Sequence, residues 1–134
     1  MIRDSVIAHA RAEAPNECCG LLGGRIENGV GIVTRHFPLE NELASPTRFL
    51  SDARSMFKAE RARRAAGIDF LAVYHSHPTS PPIPSKTDIA DNHWPNAMTI
   101  IVSLTTEPPN VAGWWLLPDG YEAALIEIND ADAT

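Results

Sequence analysis

The segment Met98-Thr99-Ile100-Ile101-Val102-Ser103-Leu104 constrains the fold more than any other, because it is nearly all apolar over consecutive positions. Side chains of a strand alternate between two faces, so this strand needs cover on both sides of its sheet. Amphipathic helices supply such cover. Ile2, Val6, Ile7 and Ala10 recur at helical spacing, and Pro15 ends that first helix at about Ala14. A second helix starts from a Ser51 or Asp52 cap, turns Ala53, Met56 and Phe57 inward, and stops at Gly67.

Strands fill the intervals. Gly20 to Gly24 and Val30 to Val33 pair through Glu27-Asn28-Gly29, since Asn-Gly is a strong hairpin signal. Ile68 to Tyr74 is a strand that delivers its end to His75-Ser76-His77, and a proline-rich loop, Pro78 to Pro84, leads to a short helix from Ser85. Val111 to Leu117 and Tyr121 to Ile128 are two further strands, joined by Pro118-Asp119-Gly120. The acidic stretch Asn129 to Thr134 is expected to fray. This order predicts α/β, a single domain over residues 1–134 with one mixed, curved sheet flanked by helices.

A net charge of −6 disfavours nucleic acid, whose phosphates are bound through clustered Lys and Arg. The dense basic run, Arg61 to Arg64, falls on the second helix as a solvated face. Cys18 and Cys19 are the only cysteines, and sequence neighbours rarely reach disulfide geometry. No apolar run approaches the ~20 residues that span a bilayer. Met1-Ile2-Arg3-Asp4 lacks the layout of a signal peptide. A cytoplasmic protein without a membrane partner is the expectation, and a homodimer is left open.

His75 and His77 are two apart on a strand end, so they share a face and can grip one metal ion. A pair of hydrogen-bonded surface histidines fits that spacing too. Asp88 adds a third ligand if the proline-stiffened turn folds the next helix back over the strand. Two imidazoles and a carboxylate leave a fourth tetrahedral position free, the ligand count of a catalytic zinc site. Ser85-x-x-Asp88 is also close to a capping box, so both side chains have a structural use. Hydrolysis further needs a base to take the proton of the attacking water, and Glu17 in Pro15-Asn16-Glu17-Cys18-Cys19-Gly20 opens a buried strand.

Glu17, His75-Ser76-His77-Pro78, six residues, Ser85, two residues and Asp88 together resemble the motif of the JAMM, or MPN-plus, zinc metalloproteases. The resemblance extends along the order of elements from the first helix to at least Leu104, and it implies a fold similar to that of cytidine deaminase. It implies one zinc per chain held by His75, His77 and Asp88, with Glu17 as general base and Ser85 as donor to the oxyanion. It also implies a peptidase or isopeptidase acting after the C-terminal Gly-Gly of a ubiquitin-like or sulfur-carrier protein. The compact form resembles stand-alone prokaryotic members rather than deubiquitinases with gripping insertions, and Pro-x-Glu-x-Cys-Gly resembles members that trim an amino acid from such a carrier. Asn41 lies where family members often have an Asn near the cleft, which makes it a substrate-contact expectation. His9, His36 and His93 read as surface residues, Cys19 as core, and one of Trp114 and Trp115 as core with the other exposed.

Three rivals are weaker. A non-catalytic MPN-type binding scaffold would lack ligands, and none is missing. A zinc nucleoside deaminase uses His-x-Glu with Pro-Cys-x-x-Cys, for which neither cysteine is placed. A His-x-His amidohydrolase barrel needs at least ~200 residues.

Overall fold

A computed structural model describes residues 2–94 and 96–127. The elements run α1 (Ile2–Glu13), β1 (Cys19–Glu27), β2 (Val30–Leu39), α2 (Ala53–Ala66), β3 (Asp69–His77), α3 (Lys86–Ala90), β4 (Met98–Ser103), β5 (Asn110–Leu117) and β6 (Gly120–Ala123). The six strands form one sheet in the order β2-β1-β3-β4-β5-β6, antiparallel throughout except for the parallel pair β3 and β4. The mixed sheet flanked by helices is the predicted fold.

Local chemistry accounts for the boundaries. Asn28 and Gly29 both take positive φ, 52° and 79°, the turn that matches the twist of a tight hairpin between β1 and β2. Asp52 caps α2 by accepting from the Ser55 N–H, and Gly67 closes it in the left-handed region at φ 68°. Strand ends depart from expectation: β2 runs on to Leu39, held by pairing with β1 down to Cys19, and β6 stops at Ala123. The expected strand end at Ile128 and the frayed 129–134 lie outside the described residues.

The sheet is covered on both faces, as the β4 sequence demanded. On one face α1 buries Val6, Ile7 and Ala10 against Leu22, Tyr74, Ile100 and Val102. On the other α2 packs Ala59 and the half-buried Met56 and Ala62 against Leu21, Phe37 and Val73. The inward orientation expected for Phe57 and Ala53 is corrected: both are exposed, Phe57 at 63%. The helix instead turns the stripe Met56, Ala59 and Ala62 to the sheet, and Arg61 lies over the Phe57 ring. No helix among the described residues is long and apolar enough to cross a membrane.

Tyr74, fully buried beside the ligand strand's end, lies across β1 at Gly20, its cross-strand partner. A Cβ on Gly20 would meet the Tyr74 ring at 2.2 Å, whereas one on Gly120 meets nothing within 4 Å. Gly20→Ala should therefore destabilise by about 1–3 kcal/mol through overpacking, and Gly120→Ala should be near neutral. Thermal unfolding of the two variants checks this; equal Tm values would contradict the packing argument.

Candidate metal centre

Strand register builds the centre. Cys19 pairs with His75, and the Cys18 carbonyl and the Ser76 N–H bond at 3.1 Å, which sets Glu17 level with His77 across the β1–β3 junction. Alternation then turns Glu17, His75 and His77 to one face, that of α2 and α3, while Ser76 points away and accepts the Cys18 N–H. Glu17, His75, His77 and Asp88 are 3%, 1%, 4% and 7% exposed.

Asp88 arrives by helix capping. The Ser85 hydroxyl oxygen accepts the Asp88 N–H at 3.0 Å, and Asp88 Oδ2 accepts the Ser85 N–H at 2.9 Å. The capping box expected for this pair is thus formed, and the same Oδ2 lies 3.0 Å from His77 Nε2 and 3.2 Å from His75 Nε2. The two Nε2 atoms are 3.3 Å apart. Cap and candidate ligand are therefore one atom.

Three donor atoms at 3.0–3.3 Å fit a tetrahedral cation closely. Bonds of about 2.05 Å at tetrahedral angles space neighbouring ligands by about 3.3 Å. His77 Nδ1 meets the Pro81 carbonyl at 2.8 Å, so its N–H donates there and leaves the Nε2 lone pair for the centre. Among the described residues this trio is the one group of His, Cys, Asp and Glu side chains placed to hold a metal. Among the described residues, two buried side-chain atoms lack hydrogen-bond partners, Glu17 Oε1 and His75 Nδ1.

The electrostatics follow the geometry. Burial, reinforced by the Asp88 charge and eased by His77, pushes the Glu17 carboxyl up to about 8. Burial would raise Asp88 as well, but hydrogen bonds from His75, His77 and the Ser85 N–H outweigh it and hold the carboxyl well below the usual range. Burial lowers His77, and the bonds to Asp88 and the Pro81 carbonyl overcome this and raise it.

Residues 41–51 form the roof. Ser45 O accepts the Glu17 N–H at 2.8 Å, and Asn41 Nδ2 donates to Glu17 O at 3.1 Å. Asn41, expected as a substrate contact, uses its side chain within the loop: Nδ2 also donates to Arg48 O, and Oδ1 accepts from the Leu43 and Leu50 N–H groups. It organises the loop that clamps Glu17. Phe49, which the sequence did not single out, stacks on His75 at 4.7 Å and 26°.

Beside His75 and Asp88 opens a cavity of about 230 Å³, walled by Phe49, Leu50, Met56, Trp94 and Leu116 and bordered by Arg48 and Asp91, whose side chains bond at 2.9 Å. His93, exposed as expected of a surface residue, also lines it; the turn after α3 carries it there. His9 and His36, expected at the surface, are instead half-buried on the α1 face, where His9 Nδ1 meets the Tyr74 hydroxyl at 2.7 Å. Cys18 and Cys19 are buried free thiols, and Cys19 packs in the core on the α2 face.

The chain is 39% identical over 120 residues to a probable TtuB-protein conjugate cleaving protease of Thermus thermophilus, covering 89% of this chain and 74% of that protein. It is 35% identical over 105 residues to the CysO-cysteine peptidase of Mycobacterium bovis, covering 78% and 70%. A solution structure of a protein from Desulfitobacterium hafniense superposes with a TM-score of 0.83 at 35% identity, covering 91% of this chain and 84% of that one. The model of the prokaryotic homologs of the JAB domain matches residues 2–117, and the chain belongs to that family.

Proposed function

We propose that this chain is a zinc-dependent peptidase or isopeptidase that hydrolyses the amide bond after the C-terminal Gly-Gly of a ubiquitin-like or sulfur-carrier protein. One observation carries the reading: three lone-pair donors at the edge length of a zinc tetrahedron lie beside a buried carboxylate whose Oε1 has no partner. The names of the relatives, a conjugate-cleaving protease and a CysO-cysteine peptidase, support the substrate class. His75, His77 and Asp88 would hold one zinc, which supplies Lewis-acid polarisation and a lowered water pKa.

The chain's own groups do the rest. Glu17 takes the proton of the attacking water and returns it to the departing amine, so the C–N bond breaks with the amine leaving neutral. Its backbone is held at both the N–H and the C=O by residues 41–51, which fixes the carboxylate's origin. Ser85 accepts the Asp88 N–H with its oxygen, which leaves its O–H to donate to the developing oxyanion.

Access favours a thin substrate. The donors are nearly buried, and β1 and β3 are flanked by strands on both sides, so no free sheet edge borders the centre. An extended tail would pair with the backbone of residues 41–51 rather than add to an edge. Only residues 91–97 separate α3 from β4, too few for an insertion that wraps a folded partner. The two unpaired buried thiols suit a reducing, cytoplasmic setting.

Zinc analysis and turnover of a carrier protein extended past its Gly-Gly test the proposal. His77→Ala should lose both zinc and turnover, whereas Glu17→Gln should keep about one zinc and lose ~10²–10⁴-fold in rate. Wild-type turnover in Glu17→Gln would remove it as the base. Replacing the glycine before the scissile bond by valine should lower kcat/KM by about 10²-fold through misplacement of the carbonyl, and equal rates would refute the thin-substrate argument alone.

The pKa directions add a pH test. At pH 7 a Glu17 carboxyl raised to about 8 keeps its proton in the metal-free protein, and a raised His77 retains more of its own. A cation favours the deprotonated forms, so zinc binding should release protons, fewer from Glu17→Gln. Calorimetry in buffers of different ionisation enthalpy counts them; identical release by both proteins would separate Glu17 from the centre.

A further inference from the structure

Pro78, Pro81, Pro82 and Pro84 leave the segment between β3 and α3 with few N–H donors of its own. Its three central carbonyls are pinned in succession, each from a different strand, and Pro81 O also accepts the segment's own Ile83 N–H at 2.8 Å. The Ser103 hydroxyl of β4 donates to Ser80 O at 2.7 Å, His77 Nδ1–H of β3 to Pro81 O at 2.8 Å, and Trp114 Nε1–H of β5 to Pro82 O at 2.8 Å. The middle pin belongs to His77, one of the candidate metal ligands, and the outer two belong to residues outside that donor trio.

We infer that Ser103 and Trp114 are positioning residues for the metal centre, which set the Pro81 carbonyl that orients the His77 ring. The inference rests on the proposed function for its catalytic meaning. A carbonyl oxygen only accepts, so the Ser103 proton goes to Ser80 O. The Thr105 hydroxyl at 2.7 Å and the Thr105 N–H at 3.2 Å then both donate to Ser103 Oγ, which leaves the Ser103 rotor one orientation. Ser103 is fully buried and pairs with His77 in the parallel register, so the pin and the ligand move together. The Trp114 ring is braced edge-on by Tyr121 at 5.2 Å, which fixes the direction of its N–H. Proline rings hold φ at 81 and 82, so pins on both flanks leave the carbonyl between them little freedom. Direct partners of ligating histidines typically affect metal affinity by ~10–100-fold, and these two act one bond further out.

Trp114→Phe removes the N–H and keeps a ring for Tyr121 to meet, and Ser103→Ala removes the hydroxyl. Each should weaken zinc affinity by about tenfold in competition with a chromogenic chelator. In the metal-free protein each should also speed solvent exchange of the His77 Nδ1 proton, read by nitrogen-15-edited NMR. Trp115→Phe, one residue along β5 with a side chain 39% exposed, serves as the control and should leave both readouts unchanged. A merely structural role would lower Tm and leave zinc affinity and the His77 proton as in the wild type; that result in either variant that folds overturns the inference. Failure of the wild type to bind zinc would sink the proposed function instead, while the metal-free NMR arm still tests the pinning.

Discussion

His75 Nε2, His77 Nε2 and Asp88 Oδ2 face one another at 3.0–3.3 Å in a buried site, an arrangement of lone pairs that repels itself unless positive charge lies among them. Protons can serve in part: a lowered Asp88 carboxyl beside a raised His77 ring favours the proton on the imidazole and the charge on the carboxylate. A divalent ion serves better, since it meets all three lone pairs at once. The low local dielectric magnifies both the repulsion and its relief. Much of the surrounding architecture can be understood as holding these atoms closer than they would sit unaided.

That architecture is mostly backbone. The β1–β3 register brings Glu17 level with His77, the parallel β3–β4 pair places Ser103 beside the same histidine, and the α3 capping box delivers Asp88. A cap satisfies otherwise unpaired N–H groups and sets a carboxylate at the positive end of a helix. The five-residue α3 is thus held by the interaction that directs its carboxylate at the imidazoles, and fold stability and the geometry of the candidate centre share one residue.

The parts legible in the sequence were those with a local cause. Asn28-Gly29, Asp52 and Gly67 act within a few residues, and the spacing of His75, His77, Ser85 and Asp88 reflects strand and helix geometry that short segments impose by themselves. The parts that were not legible depend on partners distant along the chain. β2 is extended to Leu39 by its pairing with β1, and Phe57 faces solvent because the sheet meets the stripe of Met56, Ala59 and Ala62 instead. Asn41 carries a side chain suited to many partners, and its role in holding the loop shows only from the positions of Glu17 O, Arg48 O and two N–H groups. Phe49 had no pattern to announce it, since one ring in a loop is an ordinary composition, and strand alternation separated Trp114 from Trp115 without showing that the Trp114 N–H reaches Pro82 O.

Glu17 marks where the fold gives up stability. Its Oε1 is buried without a partner among the described residues, and its carboxyl is raised by burial first and the Asp88 charge second. A group whose folded pKa lies above its unfolded value is disfavoured in its ionised form, so this residue destabilises the metal-free fold as pH rises from about 4.5 toward 8. Asp88 acts in the opposite sense, because its depressed pKa adds stability at neutral pH that is lost as the carboxylate protonates in acid. The two carboxylates, close enough to repel, are therefore set apart by their environments: Asp88 is committed to hydrogen bonds from the cap and the imidazoles, whereas Glu17 keeps a buried oxygen unpaired. A hydrolytic base needs that second state, since a carboxylate already satisfied by donors has little affinity left for the proton of water.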